Sequence, residues 1–335
     1  MYKLTKELFD NIGKYRTVLM GFSMIMVFLL HAQSEKLGFM PTGLFGTVCS
    51  KGNRGVDMFL FLSAFGLCFS LKKNDLKTFY LNRFKRIIPT WWVVLVSIHV
   101  IGIFVGSKFD GYVYPHSIID MFFWYTGLGY IFNQCFYDWY IPMLLVFYLL
   151  IPFINRLSRN NVLLMILLSI PLIWLYKESG YLSYLSLSIT RIPIFLLGVL
   201  FFKDTEQNKY HLFLMTCVIL WLYIFAFSFF WKVPGVIQDG PLLPIFMGLL
   251  GFIISLKYLR FIEVFLSFVG TISLEFYLIH PFRRPQYLIS LITKDSVLQV
   301  LGAFILVVLL SYLLHLVMNK VNENILFPKE KITIA

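Results

Sequence analysis

The sequence predicts an all-α membrane protein: a polytopic transmembrane helical bundle of about ten spans, with one further re-entrant or interfacial segment. Two observations support this fold class. Hydrophobic residues make up 59% of the 335 residues and charged residues only 14%, and the mean hydropathy is +0.78. A soluble domain of this length has about 25% charged residues and cannot keep so much apolar surface away from water. The apolar residues also occur in long runs, as membrane-spanning helices require.

Eleven apolar runs follow one another along the chain, separated by short polar loops. No Gly/Ser/Pro-rich linker or internal repeat divides them, so residues 1–335 are predicted to form a single domain. The runs lie near 17–33, 55–71, 87–106, 118–132, 139–154, 162–176, 191–202, 210–231, 241–256, 263–282 and 297–318.

The most basic loops predict how the spans are oriented, because Lys and Arg concentrate on the cytoplasmic side of a membrane. These loops are 72–86, 155–161, 257–260 and the C-terminal tail. If the run 118–132 is re-entrant or interfacial, ten spans remain and all four basic segments lie in the cytoplasm. Both termini are then predicted to be cytoplasmic.

The net charge of +12 does not indicate nucleic-acid binding. The Lys and Arg residues lie in loops between apolar runs, as cytoplasmic anchors do. The four cysteines show no metal-ligand spacing, so no metal site is predicted. Cys49 and Cys135 both fall on the predicted outer side. Whether they pair is left open, because the sequence does not give the distance between their Cα atoms.

Five polar or amphipathic residues are predicted to reach a similar depth near the outer face. His31 ends an outward-running span, Asp57 begins an inward-running one, and His280 ends a late outward-running one. Trp139 and Arg191 begin two further inward-running spans. Ionisable side chains within membrane spans are costly and usually line a cavity or pathway. The sequence therefore predicts a functional cavity at this depth.

Six segments of the chain, taken in order, resemble the acyltransferase-3 family of bacterial integral membrane O-acyltransferases. Each segment alone is unspecific, since apolar helices imitate one another, but together they run through nearly the whole chain. They are LMGFSMIMVFLLHA with His31, GVDMFLFLSAFGL (55–67), FYLNRFKRIIPTWW (79–92), WYIPMLLVFYLLIP (139–152), RIPIFLLG (191–198) and LSFVGTISLEFYLIHP (266–281).

The resemblance implies transfer of an acyl group, usually acetyl, from cytoplasmic acyl-CoA to a hydroxyl of an extracytoplasmic carbohydrate. It implies acetyl-CoA as donor substrate with no tightly bound cofactor, and a cell-surface carbohydrate or its lipid-linked precursor as partner. It also implies a location in the bacterial inner membrane. One position departs from the family pattern. The Arg or Lys that usually precedes the first-helix His is here Met20, and whether Arg16, one turn earlier, replaces it is left open.

Acyl transfer needs a base for the hydroxyl proton, and histidine suits this role because its ordinary pKa of about 6.5 lies near neutrality. His31 is the first candidate, although a histidine at a helix end can simply cap it. Asp57 is either a partner that orients a histidine or a carboxylate favoured by the helix dipole. His280 and the intramembrane Glu275 are further catalytic candidates, and His280 can instead be an interfacial residue.

Donor binding is assigned to Arg83, Lys85 and Arg86, with Arg16 as an additional candidate. Arg83 and Arg86 share a helix face and suit the phosphates of CoA, because a guanidinium offers bidentate hydrogen bonds. Positive-inside anchoring explains the same residues equally well.

Substrate binding is assigned to Trp139 and Arg191, at the predicted cavity mouth. A polysaccharide-unit transporter or flippase is the alternative function, although the paired repeats of many transporters are not found. The sequence leaves open the acceptor sugar, the acyl chain, direct transfer against an acyl-enzyme, and homo-oligomerisation.

Overall fold

The structure is a computed structural model that describes most of the chain, and this described part is helical, with no β-strand in it. The all-α prediction is therefore confirmed. The described residues are 2–34, 43–105, 114–134, 136–180, 183–231, 235–280, 288–290, 292–293 and 295–322.

The helices vary widely in length, from single turns to long membrane-spanning rods. The α-helices are α1 (Tyr2–Lys14), α2 (Arg16–Ser34), α3 (Gly43–Ser50), α4 (Arg54–Lys73), α5 (Leu76–Val105), α6 (Ile118–Thr126), α7 (Leu128–Ile131), α8 (Tyr140–Arg156), α9 (Arg159–Ser179), α10 (Ser186–Ile189), α11 (Ile192–Glu206), α12 (Tyr210–Phe230), α13 (Gly235–Gln238), α14 (Leu243–Ile254), α15 (Arg260–Thr271), α16 (Ser273–Ile279) and α17 (Ser296–Val321). Short 3₁₀ helices cover Ser183–Leu185, Gly240–Leu242 and Lys257–Leu259.

Seven helical segments among the described residues are long and apolar enough to cross a membrane. They contain α2, α4, α5, α9, α11, α12 and α17. The pair α14 and α15, bent by 89°, would make an eighth span, and α8 is a shorter apolar helix. The protein is therefore a multi-pass membrane bundle. Ten spans stay a prediction, because the apolar runs at 241–256 and 263–282 fold as short helices that meet at a sharp bend.

The run 118–132 does not form one spanning helix. It is divided into α6 and α7 at Gly127, whose φ of +74° lies in the left-handed region that favours glycine. A capping box begins α6: the Ser117 hydroxyl accepts from the Asp120 amide, and the Asp120 carboxylate accepts from the Ser117 amide. The capping box and the left-handed glycine explain why this apolar run becomes two short helices. Two short helices agree with a re-entrant or interfacial segment.

The helix α2 lies at the centre of the site-forming part of the bundle, between α4 and α15. Glycines make these contacts close. A Cβ atom on Gly21 of α2 would collide with the carbonyl of Leu266, and one on Gly270 of α15 would collide with the carbonyl of Thr17. Small residues at such contacts allow helix backbones to touch within a membrane. The position of α2 is therefore fixed by backbone contact on the α15 side.

The bundle has two ends, named here for the residues of α2 found there. The Arg16 end also holds the start of α5 and the close of α17, since the Asn322 amide donates to the Lys85 carbonyl at 3.4 Å. The His31 end also holds His280 and the start of α4. Cys49 is buried there with a free thiol, whereas Cys135 lies outside the described residues.

Candidate active site

Two histidines from distant parts of the sequence contact each other at the His31 end. The ring of His31, at the close of α2, lies 4.9 Å from the ring of His280 between centroids, at an interplanar angle of 21°. Nε2 of His280 is 3.1 Å from Nδ1 of His31. The side chain of His280 is fully buried, and that of His31 is partly exposed. The predicted common depth of the two residues is thus realised as a direct hydrogen bond.

The hydrogen bonds of this pair determine which ring atoms bear protons. Nδ1 of His280 lies 2.6 Å from the carbonyl oxygen of Tyr277, which can only accept. In its neutral form His280 therefore has its proton on Nδ1, and its Nε2 accepts from Nδ1 of His31. This arrangement leaves the lone pair of neutral His31 on Nε2. A second ring that fixes the tautomer of the first is the arrangement that a general base requires.

A cavity of about 240 Å³ approaches the histidine pair from the interior of the bundle. Its lining includes Val27 and Tyr277, each about one helical turn before one of the two histidines. Its other limit is at Arg16, which makes it roughly 16 Å long along α2 at a rise of about 1.5 Å per residue. Most of the remaining lining is apolar or hydroxyl-bearing: Met20, Met24, Val56, Phe59, Ser63, Leu67, Ile87, Tyr140, Leu144, Tyr148, Ser273 and Leu274.

Three arginines line the far part of this cavity: Arg16, Arg83 and Arg86. No carboxylate is found among its described lining residues. Arg16 is held by a hydrogen bond from Nε to the Leu62 carbonyl at 3.1 Å, and a Cβ atom on Gly66 would come within 2.7 Å of its guanidinium. A cluster of guanidinium groups without acidic partners favours an anionic ligand, above all a phosphate.

The predicted donor residues do not all lie together. Arg83 donates from Nη2 to Ser70 Oγ at 3.2 Å and has its guanidinium 5.7 Å from the Phe79 ring. Lys85, although adjacent in sequence, is not among the residues that line the cavity. Successive residues on a helix point about 100° apart, so Lys85 turns to another face of α5. The structure thus groups Arg16 with the two predicted arginines and leaves Lys85 outside the group.

Asp57 belongs to a buried ionic cluster at the His31 end. Its carboxylate oxygens lie 3.5 Å from Nη1 of Arg54 and 3.4 Å from Nε of Arg191. Arg54 also contacts Asp239, with 2.5 Å between Nη2 and Oδ2. The predicted pairing of Asp57 with a histidine is therefore corrected: two arginines take up its carboxylate, and His31 and His280 orient each other instead.

Trp139 and Arg191, both predicted to bind substrate, are brought into contact. The guanidinium carbon of Arg191 lies 5.6 Å from the Trp139 ring centroid, in a cation–π arrangement. An aromatic chain connects them to the histidines: Trp139 packs on Tyr140, Tyr140 on Tyr277, and Tyr277 on His280. The ionic cluster and the histidine pair thus border one another through packed aromatic rings.

Glu275 faces a different cavity, of about 340 Å³, at the Arg16 end. Its Oε1 lies 3.0 Å from Nδ1 of His315, and Nε2 of His315 is 3.1 Å from the Asn319 amide nitrogen. Neither His31 nor His280 lines this cavity. The catalytic role predicted for Glu275 gains no support from this position.

The sequence reasoning missed His315, Asn319 and Arg54. His315 lies inside the last apolar run, and Asn319 follows it at i+4. Residues at this spacing share a helix face, so the sequence could have indicated that the two side chains contact each other. Arg54 and Asp57 stand at i, i+3 and could have been paired by the same rule.

The acyltransferase domain of the acyltransferase-3 family matches residues 17–316. The chain belongs to the acyltransferase-3 family. The match covers both histidines, Arg83 and Arg86, while Arg16 lies just before its first residue. No curated protein and no solved structure matches the chain. The family match supports an acyltransferase, generally a membrane O-acyltransferase.

Proposed function

We propose that this acyltransferase moves an acetyl group from cytoplasmic acetyl-CoA to a hydroxyl of an extracytoplasmic carbohydrate. The observation behind the proposal is a single cavity with three arginines at one end and a histidine pair just beyond the other. In this proposal the Arg16 end faces the cytoplasm of a bacterial inner membrane, together with both termini. The His31 end then faces the acceptor.

The length of the cavity suits the donor. The pantetheine arm of CoA has about as many chain atoms as four to five extended residues, so it is roughly 15 Å long. The lined stretch of α2 from Arg16 to Val27 is roughly 16 Å long. With the phosphates of CoA at the arginines, the thioester lies near Val27 and Tyr277, about one turn from His31. The lining combines apolar side chains for the methyl and methylene groups of the arm with hydroxyl groups that can hydrogen-bond its amides.

The transfer step assigns one role to each histidine. Nε2 of His31 takes the proton of the acceptor hydroxyl while the hydroxyl oxygen attacks the thioester carbonyl carbon. The tetrahedral intermediate collapses, the carbon–sulfur bond breaks, and the protonated His31 returns the proton to the departing thiolate. His280 holds His31 in the required tautomer and does not exchange a proton with substrate. The Tyr140 hydroxyl, which lines the same cavity, is our candidate donor to the oxyanion.

Arg16 supplies the charge that the family pattern places at position 20. Met20 and Arg16 are one turn apart on α2, and both line the cavity. Gly66 of α4 leaves room for the Arg16 guanidinium, since any side chain there would meet it. The displaced arginine therefore reaches the same anion-binding region from one turn lower on the helix.

The acceptor approaches from the ionic cluster. The Trp139 ring, with Arg191 over one face, offers apolar surface for a sugar, and the exposed Asp239 carboxylate offers a hydrogen-bond acceptor near it. Sites for carbohydrates commonly combine such a face with a few oriented polar groups.

The deciding experiment uses purified protein in detergent with acetyl-CoA labelled in its acetyl group. We expect CoA thiol to be released and label to enter an added cell-envelope glycan fraction, and we expect neither with heat-denatured protein. Absence of both thiol release and label transfer from folded protein would refute the proposal. Transfer from another acyl-CoA but not from acetyl-CoA would retain the reaction and correct the acyl group.

A further inference from the structure

The second cavity adjoins the first at its arginines. Arg16, Met20, Arg86 and Leu274 line both cavities. The two spaces therefore lie on either side of a shared wall whose charged members are two guanidinium groups. Each space has a different chemistry: the first is mostly apolar, and the second is lined mainly by hydroxyl, amide, imidazole and carboxylate groups. Its polar members are Thr17, Thr90, Thr271, Glu275, His315, Asn319 and Asn322.

Coenzyme A has the same division. Its pyrophosphate separates a slender, uncharged pantetheine arm from a bulky adenosine that carries a charged 3′-phosphate. The polar cavity, of about 340 Å³, adjoins the arginines, and the other cavity, of about 240 Å³, leads from the arginines toward the histidines. The sequence of arm, pyrophosphate and nucleotide along coenzyme A thus matches the sequence of first cavity, arginines and second cavity along the protein.

The polar cavity contains groups suited to a purine. An asparagine amide can pair with the N6 and N7 edge of adenine, offering one donor and one acceptor. Asn319 lies 3.1 Å from Nε2 of His315, and His315 in turn is 3.0 Å from Glu275. This chain fixes the orientation of the amide and sets the negative charge of Glu275 against His315 rather than against a phosphate.

We propose that the second cavity holds the nucleotide end of the donor, with the adenine beside His315 and Asn319 and the pyrophosphate across Arg16 and Arg86. This inference rests on the proposed function, because it takes acetyl-CoA as the donor. It gives Glu275 a positioning role for His315.

The test compares two donors in wild type and Asn319→Ala. Acetyl-CoA reaches both cavities, whereas S-acetyl-4′-phosphopantetheine lacks the nucleotide and reaches only the first. We expect Asn319→Ala to raise the KM for acetyl-CoA roughly 3- to 10-fold, the range for one lost hydrogen bond. The KM for the truncated donor should stay within about two-fold of wild type. Leu313→Ala, a lipid-facing change on the same helix, is the matched control.

A direct binding measurement separates failure of this inference from failure of the proposed function. Adenosine 3′,5′-bisphosphate should bind the purified wild-type protein, and Asn319→Ala should weaken this binding by a similar factor. Equal effects on the two donors, or equal bisphosphate binding by wild type and variant, would overturn the nucleotide site. If wild type transfers nothing from acetyl-CoA, the proposed function fails, and bisphosphate binding alone then decides the nucleotide site. Thr90→Val, which removes a hydroxyl that lines only the second cavity, repeats the comparison if Asn319→Ala does not fold.

Discussion

In the proposed mechanism the two histidines of the pair have different roles. His280 is fully buried and hydrogen-bonded at both ring nitrogens, to the Tyr277 carbonyl and to His31. Such a ring is well placed to hold a partner and poorly placed to reach a substrate. His31 is partly exposed, and its Nε2 is the atom proposed to take the acceptor proton. The distinction between a reacting and a positioning histidine therefore follows from burial and from the acceptor character of one carbonyl.

Replacing the two histidines should give different kinetic results. His31→Ala removes the proposed base and should lower kcat by about 10²–10⁴-fold. His280→Ala leaves His31 in place but removes the acceptor that holds the proton of His31 on Nδ1. It should therefore lower kcat less than His31→Ala and leave the KM for acetyl-CoA near wild type. Thermal unfolding in detergent checks that both variants are folded. Undiminished transfer by folded His31→Ala would remove His31 from the mechanism.

The arginines should affect donor binding more than turnover. A charge-assisted hydrogen bond is worth about 1.5–3 kcal/mol, so Arg83→Ala or Arg86→Ala should raise the KM for acetyl-CoA about 10- to 150-fold. Lys85→Ala is the comparator, since it removes the same charge from the same helix but outside the cavity. If Lys85→Ala raised the KM as much as the arginine changes, general attraction of the anionic donor would explain the effect.

For individual residues, the sequence indicated which side chains belong to the site better than it indicated which side chains they contact. It placed His31 and His280 at one depth, and the structure joins them. It did not pair Asp57 correctly: the i, i+3 spacing to Arg54 was overlooked, and the contact with Arg191 depends on how α4 and α11 pack. Arg54, three residues earlier, and Arg191 from α11 occupy the space around that carboxylate. Partners from distant helices, such as His315 for Glu275, are set by the tertiary fold alone.

Among the elements, α8 has one face toward the donor cavity and another toward lipid. Leu144 is buried and lines the cavity, whereas Leu149 is 61% exposed on the outer face. Leu144→Trp should fill the space for the pantetheine arm and reduce kcat/KM for acetyl-CoA at least about 10-fold, because overpacking leaves no room for the arm. Leu149→Trp adds the same side chain on the lipid side and should keep near-normal activity. Equal loss in both variants would indicate a general effect on folding.

The start of α8 is joined to α5 by one carboxylate. Asp138 is buried, accepts from the Trp91 indole at 3.0 Å, and accepts from the Ile141 amide at 2.8 Å. Burial raises the pKa of Asp138 to about 6. In the unfolded chain this pKa is about 3.9. Between these values the folded state retains a proton that the unfolded state has lost, so the free energy of unfolding falls as pH rises.

Stability measurements across this pH window test the role of Asp138. From pH 4 to 6 the free energy of unfolding of the wild type should fall by up to about 3 kcal/mol through this group. Asp138→Asn cannot ionise and should lose this component of the pH dependence. Thermal unfolding of both proteins in detergent between pH 4 and 7 would show it. Parallel pH profiles for the two proteins would contradict the assignment.

The sequence predicted most of the long helices, because a long apolar run is enough to specify a membrane-spanning helix. Long apolar runs gave α2, α4, α5, α9, α12 and α17, because such runs must bury their backbone polar groups in helices. The break at Gly127 was foreseen only as an irregular segment, since its capping residues fix the break locally. The bend between α14 and α15 was not foreseen, because no local residue pattern specifies an angle of 89°.

For the whole molecule, the main untested prediction is the orientation of the helical bundle in the membrane. The predicted topology places the loop between α8 and α9 in the cytoplasm and the segment after α3 outside. In a background without native cysteines, Asn160→Cys should react with a membrane-impermeant maleimide only after the cells are opened. Lys51→Cys should react in intact spheroplasts. The reverse pattern would invert the topology and place the donor arginines on the wrong side for cytoplasmic CoA.

A single helix, α2, has Arg16 at one end of the proposed donor site and His31 at the other. A helix is stiff, so the number of residues between the proposed phosphate-binding and reacting groups fixes the distance between them. His31 lies fifteen positions after Arg16, which corresponds to roughly 22 Å along the helix axis. In the proposed mechanism this fixed spacing sets how far the reacting end of the donor lies from its phosphates. Deleting one residue between these two positions would shift His31 by about 1.5 Å and turn it by about 100°, away from His280. The site would then hold its donor in the wrong register for transfer while both histidines remained in the chain.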